Sequence, residues 1–193
     1  MARTPSTMLP LGTKTPDFSL TNTVDGRRVS LSDFNEDRGL LVMFICNHCP
    51  FVVHLREELV HLANHFVEQG FGVVAINSNS DQSHPQDGPE NMASLAREEE
   101  WNFPFLFDAE QEVVKAFSAA CTPDFFIFNG DQELVYRGQM DDSRPGSGIP
   151  VSGRDLSAAM EAVLAGEAVS AEQKPSLGCN IKWHAGNEPN YFA

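Results

Sequence analysis

The sequence predicts an α/β protein with three layers, α/β/α, around a central mixed sheet, preceded by an N-terminal hairpin extension. Two apolar runs of strand length, residues 40–45 and 72–76, are separated by a helical pattern. Uninterrupted apolar strands are typical of sheets that helices cover on both faces. The order strand, helix, strand favours a parallel, right-handed crossover between the two runs.

The first part of the chain contains five predicted elements. Asp25-Gly26 is a turn signal between two short strands, and the apolar residues of the helix recur in steps of three and four until Gly70. The predicted bounds are strands 17–20 and 27–30, strand 40–45, helix 52–67 and strand 72–76.

Shorter elements follow a polar stretch, residues 77–89, which is predicted to be a surface loop. The turn Asn129-Gly130-Asp131 separates two strand patterns and predicts a second hairpin. The predicted bounds are helix 90–101, strand 104–107, helix 110–119, strands 125–128 and 134–137, and a closing helix 156–164.

Size and charge restrict the class of protein. A chain of 193 residues suits one domain, and we expect residues 1–193 to form it, with an N-terminal arm (1–14) and an irregular C-terminal tail (175–193) packed on the body. The net charge of −14 argues against nucleic acid or an anionic membrane as a partner. Residues 1–14 lack the apolar run of a signal peptide, so we expect a cytoplasmic location.

The motif Cys46-Asn47-His48-Cys49 carries the main chemical signal. It lies between the strand 40–45 and the helix 52–67, at the carboxyl end of one and the amino end of the other. Two cysteines with this spacing at a helix start bring their sulfur atoms close enough to bond, and the helix dipole lowers a thiol pKa there. The motif therefore predicts a redox dithiol. We expect the helix dipole to lower the thiol pKa most at Cys46, which lies at or near the N-cap.

His48 and Pro50 fit this interpretation. A proline is tolerated in the first turn of a helix, where its missing N–H has no intrahelical partner to lose. His48 is placed to donate to, or carry charge near, a Cys46 thiolate, which stabilises the reduced form. The sequence therefore predicts a reduction potential above the roughly −270 mV of thioredoxin.

Other cysteines and histidines leave alternatives open. Cys121 and Cys179 are single cysteines that either form a bond or relay with each other or are packed thiols without a link. His61 and His65 have the i, i+4 spacing of a metal pair, and a polar helix face explains them as well. A zinc site at the Cys46 motif would need further ligands.

The loop 77–89 contains Asp81, His84 and Asp87. Because it follows a parallel strand, it should lie at the same edge of the sheet as the cysteine motif. Two interpretations remain equal: the loop borders the substrate site, or it is a solvated connection.

The chain resembles the thioredoxin superfamily, and specifically its peroxiredoxin-like redoxin branch, over roughly residues 10–165. The opening Thr15-Pro16-Asp17-Phe18-Ser19-Leu20, the motif Cys46 to Cys49 and the pair Thr122-Pro123 carry the resemblance. It implies a thioredoxin-like form of the three-layer fold. It also implies that Cys46 is the attacking cysteine and that Cys49 is the resolving cysteine. It also implies a cis Thr122–Pro123 bond that exposes a backbone edge to the substrate.

Two departures from these families are visible. The buried acid of thioredoxins would fall on Leu40, so the proton acceptor for Cys49 is missing or comes from elsewhere. The peroxidatic cysteine of peroxiredoxins aligns with Cys49, its helper threonine with Cys46, and the essential arginine falls near Pro123. The loss of these donors weakens a peroxidase interpretation, and Arg137 or Arg144 would have to reach Cys49 to replace them.

The resemblance and the motif together predict a thiol-disulfide oxidoreductase. Its substrate would be a disulfide-containing protein or a small thiol compound, and thioredoxin or glutathione would reduce the oxidised protein again. No cofactor is needed. A homodimer is compatible with the resemblance. The alternatives are a thiol peroxidase with an antioxidant role and a copper- or zinc-binding module using Cys46, Cys49 and a histidine. The predicted site residues are Cys46, Cys49, His48, Thr122 and Pro123.

Overall fold

The computed structural model describes residues 3–35 and 37–191. Its strands are β1 (Arg3–Pro5), β2 (Ser19–Asn22), β3 (Arg28–Ser30), β4 (Gly39–Phe44), β5 (Gly72–Asn77), β6 (Phe105–Phe107), β7 (Cys121–Thr122), β8 (Asp124–Asn129), β9 (Leu134–Gly138) and β10 (Leu177–Asn180). Its α-helices are α1 (Pro50–Glu68), α2 (Pro89–Glu98), α3 (Glu112–Ala116) and α4 (Arg154–Ala165). Short 3-10 turns occur at Leu31–Phe34 and Pro85–Asp87.

The central sheet has seven strands in the order β3-β2-β6-β5-β4-β8-β9. The pairs β4/β5 and β5/β6 are parallel, and the remaining pairs are antiparallel. This mixed sheet, with the β2/β3 hairpin at one edge and the β8/β9 hairpin at the other, confirms the predicted fold class. The neighbouring parallel strands β4 and β5 are those predicted to flank the long helix.

Strand β4 shows why its sequence is apolar throughout. Leu41 and Met43 belong to a core cluster that includes residues of α1, α2 and α4. Val42 and Phe44 belong to a second cluster that includes residues of α3 and the C-terminal segment. Since successive side chains of a strand point to opposite faces, both faces of β4 are covered.

The helices α2 and α3 are shorter than the predicted ranges 90–101 and 110–119. Just beyond α2, Glu100 has a φ of 54°, and just beyond α3, Ser118 has a φ of 51°. A residue in the left-handed region ends a helix, and neither position carries the glycine that usually marks such an end. The sequence therefore contained no visible stop signal, and the helix ends were predicted too far along the chain.

The two chain ends form a second, small sheet that was not predicted. Strand β10 pairs antiparallel with β1 on one side and with β7 on the other. The expected arm (1–14) and irregular tail (175–193) therefore each contribute a strand, and this part of the prediction was wrong. Strands of two to four residues are too short for a hydrophobic period to reveal them.

The C-terminal segment beyond β10 packs on the body, with Ile181 and Trp183 buried. Phe192, which we also expected to pack there, lies outside the described residues. In the described part of the chain, no helix combines the length and apolar character needed to cross a membrane.

The stretch 77–89 is only in part the surface loop that its polarity predicts, since residues 82, 83, 85, 86 and 89 are exposed and others are buried. Its buried members are Asn77, Ser78, Asn79, Ser80 and Asp87. The C-terminal segment covers it: the Ser80 N–H donates to the Lys182 carbonyl at 2.7 Å, and the Lys182 N–H donates to Asn79 Oδ1 at 2.8 Å. Hydrogen bonds of this kind offset the cost of burying polar groups.

Candidate active site

The cysteine motif lies between β4 and α1, as predicted, and α1 begins at Pro50, two residues before the predicted start of the helix. Cys49 is the N-cap of α1, and Pro50 occupies the first helical position. Proline is favoured at that position because its missing N–H has no partner to lose there. The positive end of the helix therefore acts on Cys49, and the expectation that Cys46, at or near the N-cap, gains most from it was wrong.

Cys49 is completely buried and surrounded by hydrogen-bonding groups. Its Sγ lies 3.1 Å from the Thr122 carbonyl oxygen, to which it donates a hydrogen bond when it is protonated. A hydrogen bond from the Cys46 thiol lowers the pKa of Cys49, and hydrogen bonds from Cys179 and Thr122 lower it further, while burial opposes them. The thiolate form of Cys49 is therefore favoured.

Cys46 has the opposite environment. Its Sγ lies 3.5 Å from Thr122 Oγ1 and 3.9 Å from His48 Nδ1. The hydrogen bond to Cys49, burial and the nearby charge of Asp87 all raise the pKa of Cys46. In the reduced pair, Cys49 is therefore the more acidic thiol and Cys46 the less acidic one.

Asp87 holds the motif in place from the 77–89 stretch. Its Oδ2 lies 2.5 Å from His48 Nδ1 and accepts a hydrogen bond from Asn79 at 2.8 Å. Its Oδ1 accepts the backbone N–H groups of Asn47 and His48 at 3.0 and 3.2 Å. The side chain is fully buried, so this carboxylate fixes both the motif backbone and the His48 ring.

Asp87 was not among the predicted site residues, although the sequence offered a signal for it. Its loop follows a parallel strand and was expected either to border the site or to be a solvated connection. The hydrogen bonds to residues 47 and 48 favour the first interpretation. Position alone could not single out Asp87 from Asp81 and His84 in the same loop.

His84 also reaches the motif from this loop. Its ring stacks on that of His48, with centroids 4.9 Å apart and planes inclined by 23°. Burial and the nearby His48 lower the pKa of His84. The His48 side chain is 22% exposed, whereas both sulfur atoms belong to buried residues, so solvent reaches the motif at His48 and at the partly exposed Asn47.

The Thr122–Pro123 peptide bond is cis, as the resemblance implies, but the backbone edge is not exposed as expected, because Thr122 is buried and pairs with Cys179 of β10. Thr122 contacts both cysteines, Cys49 through its carbonyl and Cys46 through its hydroxyl. The structure thus brings together Cys46, Cys49, His48 and Thr122, with Pro123 joined to them through the cis bond.

A buried carboxyl exists in the chain, but it is not the missing proton acceptor. Asp124 lies directly opposite Phe44 in the β4/β8 pair, and such partners project to the same face of a sheet. Phe44 belongs to one core cluster, and both cysteines of the motif belong to the other. Asp124 therefore lies on the face away from Cys49.

Neither arginine considered as a peroxidase helper binds a cysteine in the described part of the chain. Arg137 donates to the Leu9 carbonyl at 2.8 Å and to Gln173 at 2.7 Å. Arg144 donates to the carbonyl groups of Asp141 and Ser143, each at 2.6 Å. Both guanidinium groups are used to hold the surrounding loops.

Potential metal ligands come together in the motif, although not as predicted. Atoms of Cys46, His48 and Asp87 lie within 4.8 Å of one another. The Asp87 oxygens already bind four partners, so a metal ion would have to displace them. The predicted pair His61 and His65 belongs to no group of three candidate ligands among the described residues.

Fold and site together define a thioredoxin-fold protein with a buried dithiol beside a cis-proline. Residues 10–152 match the model of the Redoxin family, and the chain belongs to this family. The thioredoxin domain of a thiol-disulfide oxidoreductase from Bacteroides vulgatus shares the fold, with a TM-score of 0.62 at 18% identity over 81% of this chain and 99% of that domain.

Relatives of higher identity support this assignment. A conserved protein from Geobacillus kaustophilus superposes with a TM-score of 0.93 and is 53% identical, over 95% of this chain and 97% of that one. The thiol-disulfide oxidoreductase ResA of Bacillus subtilis is 26% identical over 127 residues, 64% of this chain and 64% of ResA. The chain thus spans less than two thirds of ResA. A proposed peroxiredoxin of Mycobacterium tuberculosis is 28% identical over 116 residues, 60% of this chain and 68% of that protein.

Proposed function

We propose that the protein is a thiol-disulfide oxidoreductase that uses Cys46 and Cys49. The observation that carries this proposal is the buried pair of cysteines at the start of α1, both in contact with Thr122 of the cis Thr122–Pro123 bond. The pKa of Cys49 is lowered and that of Cys46 is raised by the hydrogen bond between them. A buried cysteine pair that stabilises a thiolate is suited to exchange with a disulfide. The oxidoreductase among the relatives supports the same activity.

The reaction begins when the Cys46 sulfur attacks a substrate disulfide. The Cys46 proton passes to the Cys49 thiolate, to which it is already hydrogen-bonded. Cys46 then forms a mixed disulfide, and one substrate sulfur leaves as a thiolate. Cys49 attacks Cys46 Sγ next; its proton goes to the second substrate thiolate, and the Cys46–Cys49 disulfide forms. The substrate is reduced by two electrons and the pair is oxidised by two.

Asp87 and His48 position the nucleophile. The charge of Asp87 raises the pKa of Cys46, and the His48 ring, held 2.5 Å from that carboxylate, offsets part of this charge. His48 thereby favours the reactive form of Cys46 without leaving its hydrogen bond to Asp87.

A protein disulfide or a small disulfide is the proposed substrate, and thioredoxin or glutathione is the proposed reductant of the oxidised pair. The cis Thr122–Pro123 bond lies next to both sulfur atoms, but Thr122 is buried and paired with β10, so an extended substrate backbone binds there only if β10 moves aside. A reducing compartment such as the cytoplasm is the proposed location, because four cysteines in a chain of this size are too few for a disulfide scaffold.

The test compares wild type with Cys46→Ser, Cys49→Ser and the control Cys121→Ser. Reduction of a protein disulfide and of glutathione disulfide, consumption of hydrogen peroxide, and bound metal are measured side by side. We expect disulfide reduction to be lost in Cys46→Ser and Cys49→Ser and kept in Cys121→Ser. Disulfide reduction that survives in Cys46→Ser would show that Cys46 is not the nucleophile.

A second candidate function, thiol peroxidase, is supported by the thiolate character of Cys49. Cys49 would attack a hydroperoxide oxygen, forming a sulfenic acid and releasing water or an alcohol, and Cys46 would then displace water to form the disulfide. Peroxide consumption that requires Cys49 and continues for one turnover in Cys46→Ser would identify this activity. Stoichiometric copper or zinc in the isolated protein would instead identify a metal-binding module.

A further inference from the structure

A third thiol lies against the dithiol. Cys179 of β10 hydrogen-bonds to Cys49 through their side chains, and both residues belong to the same buried cluster as Cys46. Cys179 is directly opposite Thr122 in the β10/β7 pair, and the Thr122 carbonyl accepts the Cys49 thiol at 3.1 Å. Cys49 is therefore the thiol shared by two potential disulfide partners.

The residue next to Cys179 makes this close approach possible. A Cβ atom on Gly178 would lie 2.0 Å from the Thr122 carbonyl oxygen and 2.6 Å from its carbon. These are backbone atoms, so no side-chain movement would relieve the clash. Only glycine at position 178 lets β10 lie this close to the cis-proline loop, and the approach brings Cys179 to Cys49.

Cys121 is not the partner of Cys179, although the sequence left that pairing open. Cys121 is opposite Asn180 and Cys179 is opposite Thr122 in the same strand pair. Neighbouring residues of a strand point to opposite faces, so the side chains of Cys121 and Cys179 project away from each other. The Cys121 sulfur instead lies 3.5 Å from the Pro123 carbonyl oxygen.

We propose that Cys179 is a third redox thiol, which exchanges with the Cys46–Cys49 disulfide to form a Cys49–Cys179 disulfide. Cys179 sulfur attacks Cys49 Sγ, the Cys46–Cys49 bond breaks, and the proton lost by Cys179 is taken up by Cys46. The step is neutral in electrons and atoms. It rests on the proposed function, because the Cys46–Cys49 disulfide is its starting point.

The exchange gives the oxidised protein a second form. The disulfide moves into the buried junction between α1 and β10, and Cys46 becomes a thiol again beside His48. In that form Cys46 has no resolving partner. When Cys46 attacks a small disulfide, one thiol is released and the mixed disulfide on Cys46 persists. Burial raises the pKa of the Cys179 thiol, and the exchange is therefore faster at alkaline pH.

Disulfide mapping tests the inference on the full-length protein. Wild type, Cys46→Ser, Cys46→Ser/Cys179→Ser and Cys46→Ser/Cys121→Ser are oxidised with diamide, remaining thiols are alkylated, and tryptic peptides are analysed by mass spectrometry. Trypsin separates the peptide that holds Cys46 and Cys49 from those of Cys121 and Cys179. Far-ultraviolet circular dichroism checks that each variant is folded.

We expect a Cys49–Cys179 link in Cys46→Ser and in the Cys121 double variant, and none in the Cys179 double variant. Wild type should show the Cys46–Cys49 disulfide together with a Cys49–Cys179 fraction that grows from pH 7 to pH 9. A wild type that contains only Cys46–Cys49, with no internal link in folded Cys46→Ser, overturns this inference and leaves the proposed function intact. Absence of the Cys46–Cys49 disulfide in wild type overturns the proposed function itself.

Discussion

At the scale of single residues, charge in the dithiol is distributed in a way that the motif does not reveal. The spacing of Cys46 and Cys49 shows that the sulfur atoms meet. Which sulfur carries the charge depends on the helix N-cap at Cys49 and on the carboxylate of Asp87, which is 40 positions from Asn47 along the chain. The position of the N-cap depends on where the helix starts, and the position of the Asp87 carboxylate depends on tertiary structure.

Asp87→Asn tests the electrostatic part of this account. In a Cys49→Ser background only one thiol of the motif titrates, and loss of the Asp87 charge should lower the pKa of Cys46 by about one unit or more. The measurement is the rate of Cys46 alkylation as a function of pH. Asp81→Asn, a carboxylate of the same loop, is the matched control and should leave the midpoint unchanged. An unchanged midpoint in Asp87→Asn would show that its charge does not act on Cys46.

His48→Ala should make the disulfide a weaker oxidant. Without the ring, the charge of Asp87 acts more strongly on the reduced pair, and the reduced form becomes less stable. Each 1.4 kcal/mol lost lowers the potential by about 30 mV, and we expect the wild-type value to exceed the roughly −270 mV of thioredoxin. Equilibration with glutathione measures both potentials. His54→Ala, in α1 but bound to Ser143, is the control, and a higher potential in His48→Ala would contradict this role.

At the scale of elements, the sequence predicts helices and strands with a long hydrophobic pattern and misses strands that are too short to have one. The strands β4 and β5 and the helix α1 were placed within two residues at each end, because apolar runs and helical steps extend over many residues. The strands β1, β7 and β10 have two to four residues, too few for a period. The contact between Cys49 and Cys179 depends on these short strands, so it could not be predicted.

Gly178→Ala tests the approach of β10 to β7. The added methyl group would meet the Thr122 backbone at 2.0 Å, so the strands must separate, and we expect a loss of about 1–3 kcal/mol in the free energy of unfolding. Gly130→Ala is the control, since its Cβ would lie 3.7 Å from the nearest atom, an ordinary contact. Urea unfolding measures both. Equal stability of the two variants would show that β10 can shift without cost.

At the scale of the whole molecule, the active site lies where the two sheets join. β7 ends at Thr122 in the small sheet, β8 begins at Asp124 in the central sheet, and the cis-proline connects them. The first residue of β8 is a fully buried carboxyl group. Burial raises the pKa of Asp124 to about 7, and neither of its carboxyl oxygens has a hydrogen-bond partner in the described part of the chain.

This carboxyl should make the stability of the folded protein depend on pH. An aspartate in the unfolded chain has a pKa near 3.9, so between about pH 4 and pH 7 the unfolded state gives up a proton that folded Asp124 keeps. Stability from this group is complete below pH 4 and is lost as pH rises toward 7. Between pH 5 and pH 8 the loss amounts to about 2–3 kcal/mol.

Asp124→Asn removes the titrating group. The stability of this variant relative to wild type should therefore increase as pH rises. We expect the difference in free energy of unfolding, variant minus wild type, to increase by about 2–3 kcal/mol from pH 5 to pH 8, as measured by urea unfolding at several pH values. Asp131→Asn, on the exposed turn of the β8/β9 hairpin, should show no such trend. A difference for Asp124→Asn that is constant with pH would mean that this carboxyl is already ionised in the folded protein at pH 5, and that the junction between the sheets accommodates its charge.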